Sequence, residues 1–124
     1  MSGKGSVPGP ILAVVTDVYD GDTFTVEANV WPGVRIVRRV RCRGFDTPEI
    51  RSRDPRERRA AREARDFLKT LIGERVQLTG IRDDKYGGRV GATVLLIDGR
   101  PLAKTMIEAG HARAYDGGKR RAWF

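Results

Sequence analysis

Two short acidic blocks carry the residue types that could do chemistry. Asp20-Gly21-Asp22-Thr23 sits between two β-rich runs, and Phe45-Asp46-Thr47-Pro48-Glu49 ends a third. If the second and third runs are neighbouring strands, Asp22 and Asp46 converge at one end of a sheet. Carboxylates held together repel, and one pKa rises unless a cation lies between them. The donors there are hard oxygens with no His or thiolate nearby, which suits Ca²⁺ or Mg²⁺ rather than Zn²⁺. Each block taken alone also fits a plain turn, since Asp and Gly dominate turns.

The arginines change that balance. Arg41 precedes Asp46 by five residues on the same run, and Arg89 follows the loop Asp84-Lys85-Tyr86-Gly87-Gly88. Two guanidinium forks, an acidic pair and a spare carboxylate at Glu49 match what phosphodiester hydrolysis requires. The cations offset charge growing on phosphate oxygens, and the carboxylate orients or deprotonates water.

The elements that must position these groups are legible from periodicity. Ile11 to Val18 is β-rich, and in Thr23 to Val30 the apolar Phe24, Val26, Ala28 and Val30 alternate with polar residues, the mark of a half-buried strand. Trp31-Pro32-Gly33 turns the chain into Arg35 to Arg43, where Val40 and Cys42 face away from Arg39, Arg41 and Arg43. The adjacent Ile36 and Val37 break the alternation and predict a bulge or a strong twist. Asp54, Pro55 and Glu57 form a capping-box arrangement for a helix with Ala60, Ala64, Phe67, Leu68, Leu71 and Ile72 on its apolar face, ended by Gly73. Strands Arg75 to Ile81 and Arg89 to Ile97 follow, then a short helix from Leu102 to Ala109. The fold class is therefore α+β: a five-stranded OB-type barrel with a helix between strands three and four and a short C-terminal helix.

Composition narrows the partner. The chain has 124 residues and a net charge of +8, and nineteen of its twenty-four basic residues are arginines, which bind phosphate oxygens two at a time. The length predicts one domain over residues 11–124 behind a flexible leader, 1–10. One cysteine, Cys42, excludes an internal disulfide and is expected inside the barrel. No apolar run is long enough for a membrane span, so no membrane partner is expected. His111, the only histidine, and Trp31, Phe45, Phe67 and Trp123 read as packing residues.

In its four blocks, Asp20-Gly21-Asp22-Thr23, Arg41, Asp46-Thr47-Pro48-Glu49 and Asp84-Lys85-Tyr86-Gly87 with Arg89, the chain resembles the staphylococcal nuclease (thermonuclease) family, in order and over roughly Val14 to Ala114. The resemblance implies an OB barrel with packed helices that hydrolyses DNA or RNA with low sequence specificity and leaves 3′-phosphate ends. It implies Ca²⁺ held by the side chains of Asp22 and Asp46 and the carbonyl of Thr47, with Asp20 close behind them. It assigns Glu49 to the attacking water, either as base or as a positioning group, and Arg41 and Arg89 to the scissile phosphate. Lys85 and Tyr86 match positions that touch a neighbouring phosphate, and Tyr115 stands where the family contacts the nucleotide. Three departures from the best-known member are expected: the loop before Arg89 carries an extra glycine, Gly88, Tyr115 is alone where that member has two tyrosines, and its long final helix has no counterpart after Tyr115. The expected form is a monomer acting on nucleic acid; the residues leave the compartment open, and the resemblance favours export. The rival expectation is a binding module of the same fold without turnover, which salt-dependent binding alone would reveal.

Overall fold

A computed structural model of the chain describes residues 5–84 and 87–124. In chain order its elements begin with β1 (Ser6–Val7), β2 (Ile11–Asp20), β3 (Thr23–Trp31), β4 (Val34–Cys42) and β5 (Gly44–Asp46). They continue with α1 (Pro55–Ile72), β6 (Arg75–Asp83), β7 (Arg89–Leu95), α2 (Leu102–Glu108) and β8 (Arg113–Tyr115).

The period-two runs build the barrel as their alternation predicts. β2, β3 and β4 form an antiparallel meander, β6 pairs antiparallel with β2, and β7 pairs with both β6 and β4, parallel to the latter. The circuit β2-β3-β4-β7-β6 closes on itself, so the five-stranded barrel with its two helices is the architecture expected from the sequence. Phe24, Val40, Cys42, Val76, Leu78 and Val94 fill it. Cys42 faces the interior, where burial pushes its thiol pKa well up. Removing such side chains from water is the main source of stability, at roughly 1.5–3 kcal/mol for each fully buried aliphatic or aromatic group.

α1 packs Ala64, Leu68 and Ile72 against this core and buries Ala61 as well. Asp54 caps the helix by accepting from the Arg56 amide at 2.9 Å. The expected capping box is not closed, because Glu57 turns outward to the preceding loop and accepts from Glu49 N at 2.8 Å and from Ser52 Oγ at 2.9 Å. Phe67 stacks on His111 with ring centroids 4.8 Å apart, so the histidine has a packing role.

Three sequence expectations change. Ser6–Val7, within the segment read as a flexible leader, pair with Ile81 and Arg82 of β6. Of the bulge or strong twist expected at Ile36-Val37, the bulge is absent, since both sit in regular register opposite Ala28 and Glu27. The reason is that the far end of the β3–β4 hairpin stands clear of the core. Both of its faces meet water there, and Val30, Trp31, Ile36 and Val37 are all exposed. Trp31, read as packing, is 71% exposed at the hairpin tip. Trp31→Ser should therefore change unfolding free energy by no more than about 0.5 kcal/mol, which a denaturant melt would measure.

Candidate active site

Strand register explains why distant residues meet at one rim of the barrel. Asp20 and Asp22 flank the tight β2–β3 turn. Thr23 lies opposite Arg41 across the β3–β4 ladder, so Arg41 faces the turn. The parallel β4–β7 pairing sets Arg39 beside Arg89 and Arg41 beside Gly91, which places Arg89 at the same end. β5 brings Asp46 under the rim, and the Cys42 amide closes the corner on the Asp22 carbonyl at 2.8 Å.

Five polar or charged residues are buried among those described: Asp20, Asp22, Thr23, Asp46 and Thr47. All five belong to the two acidic blocks. A buried carboxylate needs partners, and these are tied to one another. Asp20 accepts from the Asp22 amide at 3.1 Å. Asp22 accepts from Thr23 Oγ1 at 3.0 Å and from the Thr47 amide at 3.1 Å, a bond that joins the two blocks directly. Burial, reinforced by the Asp22 charge, pushes the Asp20 pKa up to about 7. Burial also raises that of Asp46, although Arg120 and Arg113 oppose the shift.

Arg41 lies between the acids, with its Nη1 3.4 Å from Asp22 Oδ2 and its Nη2 3.7 Å from Asp46 Oδ1. The same Nη1 donates to the carbonyls of Cys42 at 2.7 Å and Phe45 at 3.2 Å. Its guanidinium is thus fastened to the end of the barrel as a fixed positive charge. Arg89 forms an ion pair with Asp84 across the base of its loop. Gly88 takes a φ of 76°, a conformation that favours glycine, and with it in place Arg89 still reaches the rim. A cavity of about 530 Å³ opens there, lined by Asp20, Asp22, Arg41, Glu49, Arg89 and Tyr115, among others. Lys85 and Tyr86 lie outside the described residues.

Sequence reasoning missed two cations that complete the site. Arg113 stands directly opposite Asp46 in the β5–β8 ladder, and its Nε and Nη2 donate to Asp46 Oδ2 at 3.3 and 3.1 Å. Arg120 arrives from the segment after β8. It donates to Asp46 Oδ2 at 3.3 Å and to the Thr47 carbonyl at 3.3 Å, and it pairs with Glu49. It missed Glu57 too, whose bond to the Glu49 amide holds the Glu49 loop against α1. The available signal was charge counting: four carboxylates were assigned to one rim with only Arg41 and Arg89 to face them.

The oxygens of this rim suit a hard divalent cation. Asp46 Oδ1 and Thr47 Oγ1 are buried and accept no hydrogen bond, although Arg120 Nη2 makes ion-pair contact with the former at 2.8 Å. Among the described residues no three His, Cys, Asp or Glu side chains are grouped to hold a metal. A cation here would therefore rest on two carboxylates, a backbone carbonyl, and oxygens from water or substrate.

The block-to-block contact is sensitive to side-chain volume. A Cβ on Gly21 would fall 2.7 Å from Thr47 Cγ2 and 3.0 Å from Thr47 Cβ and Ala64 Cβ. Gly21→Ala should cost about 1–3 kcal/mol in a chemical melt as Thr47 is pushed from the Asp22 carboxylate.

The family model described as Staphylococcal nuclease homologue matches residues 39–122. That span runs from β4 through Arg120 and holds Arg41, Asp46, Thr47, Glu49 and Arg89, while Asp20 and Asp22 precede it. No curated protein matches the chain.

Proposed function

Because the chain belongs to the staphylococcal nuclease homologue family, we propose that it is a nuclease. In this reading it hydrolyses phosphodiester bonds of DNA or RNA with low sequence specificity, requires Ca²⁺ and leaves 3′-phosphate ends. The observation that carries the reading is one cavity lined together by Asp22, Arg41, Glu49 and Arg89. Asp22, Asp46 and the Thr47 carbonyl would hold the cation, with Asp20 behind them. When bound, it supplies positive charge against the phosphate oxygens as the transition state forms.

The chain's own groups do the rest. Arg89 stands at the cavity wall, where its fork can take a phosphate oxygen pair. Arg41 acts through its fixed charge, because its Nη1 is committed to two backbone carbonyls. Glu49, about half exposed at the mouth, orients the attacking water or takes its proton. Water adds to phosphorus, the bond to the 5′-oxygen breaks, and the phosphate stays on the 3′ side. Tyr115 lines the same cavity, which supports its contact with the nucleotide.

A second reading, a nucleic-acid-binding module without turnover, draws on the observation that Arg113 and Arg120 already neutralise Asp46. One assay separates the two. Fluorogenic single-stranded DNA and RNA are incubated with the protein in Ca²⁺ or in chelator, and product ends are read by mass spectrometry. Calcium-dependent cleavage to 3′-phosphates supports the nuclease. Salt-sensitive binding with intact substrate under both conditions discards it.

A further inference from the structure

We propose that Arg120 is a built-in counter-cation of the acidic rim, which a divalent ion must displace in order to bind. The inference rests on the metal site of the nuclease reading and concerns a residue to which that reading assigns no role.

The geometry is specific. Arg120 contacts three groups at once: both oxygens of Asp46, the Thr47 carbonyl and the Glu49 carboxylate. Asp46 and the Thr47 carbonyl are oxygens the cation would use, and Glu49 is the group assigned to water. A divalent cation on these acceptors would stand directly beside the guanidinium. Their charges repel, and so near buried oxygens the repulsion is poorly screened. Occupancy by one therefore disfavours the other.

The segment that carries Arg120 is made to be held without it. Arg113 donates from Nη2 to the Arg121 carbonyl at 2.6 Å and stacks over Trp123 with its guanidinium carbon 4.0 Å from the ring centre. Tyr115 donates its hydroxyl to the Gly118 carbonyl at 2.6 Å, closing the turn at Gly117 and Gly118. With the backbone secured on either side of Arg120, its side chain can leave the rim while the segment stays. It is also the most exposed of the three guanidiniums on Asp46, so leaving for solvent is easiest for it. Once displaced, Arg120 remains at the wall of the cavity that Arg41 and Arg89 line, where an incoming phosphate would draw it outward. Cation and nucleic acid would then each favour the other's binding.

The test is calorimetric titration of the metal-free protein with Ca²⁺ alone, without nucleic acid. Arg120→Gln should bind Ca²⁺ on the order of tenfold more tightly than the parent, a size typical of coupling between competing ligands. Arg121→Gln, which removes the same net charge from an exposed neighbour, should leave the affinity at the parent value. Circular dichroism confirms that each variant is folded. Equal affinities in Arg120→Gln and the parent would overturn the displacement while leaving the nuclease reading intact. An equal gain in Arg121→Gln would overturn it as well, by reducing the effect to net charge. Calcium uptake by none of the three would overturn the displacement too, because removing Arg120 would then free no site, while the nuclease reading, whose cation draws oxygens from the substrate, is decided by the cleavage assay.

Discussion

Glu49→Gln is expected to slow nucleic-acid hydrolysis by about 10²–10⁴-fold, the usual worth of a positioned general base, while the melting temperature barely moves. The two halves of that expectation follow from the same exposure. The Glu49 side chain is 46% exposed and its partner Arg120 37% exposed, so water solvates both and the pair contributes at most about 1 kcal/mol to stability. The loop itself is held by other means, since Glu57 accepts the Glu49 amide whatever the side chain at position 49. Gln keeps the shape and loses the basic oxygen, so a rate loss without a stability loss isolates the chemistry. Single-turnover cleavage paired with a thermal melt checks both. A variant that retains activity within a few-fold removes Glu49 from its assigned role. One that unfolds early shows instead that the ion pair with Arg120 holds the segment after β8 in place.

What could be read from the sequence depended on how many residues carried each signal. In β3 the burial of Phe24, Val26 and Ala28 repeats every second residue, and that period alone located the strand and its inner face. β5 and β8 have three residues each, too few for any period to show. Their pairing sets Arg113 opposite Asp46, so the ion pair stayed hidden along with the strands. Arg120 was hidden differently. It is one arginine among nineteen, and nothing in its spacing separates it from the solvated Arg121 beside it. The acidic blocks were legible because carboxylates clustered in Gly- and Pro-containing turns of a basic chain are conspicuous. Trp31 misled because ring size predicts burial only where a second layer exists to cover it, and the hairpin tip has none.

Asp46→Ala should be the most destabilising of the changes considered, at about 2–4 kcal/mol, or roughly 10 °C in melting temperature for a domain of this size. Asp46 is 0% exposed and faces Arg41, Arg113 and Arg120. Burial makes its own charge costly, and its pKa is raised accordingly, so the carboxylate by itself is not a stabilising group. What it does is offset three guanidiniums gathered at one rim. Removing it leaves those charges facing one another, and breaking a buried pair from one side costs more than the pair contributed. The estimate falls below the upper end of that range because all three arginines keep some exposure and can turn toward water. Asp46→Asn sharpens the argument: the amide oxygen can still accept from Arg113 while the negative charge is gone. If charge is the cause, Asn should recover only a minor part of the loss, and added salt should narrow the gap to the parent by screening the arginines. If Asn restores full stability, the position matters for its shape and its acceptor oxygen. The rim would then tolerate its arginines without a buried anion, and the balance of charge that Arg120 is argued to maintain there would have no structural weight.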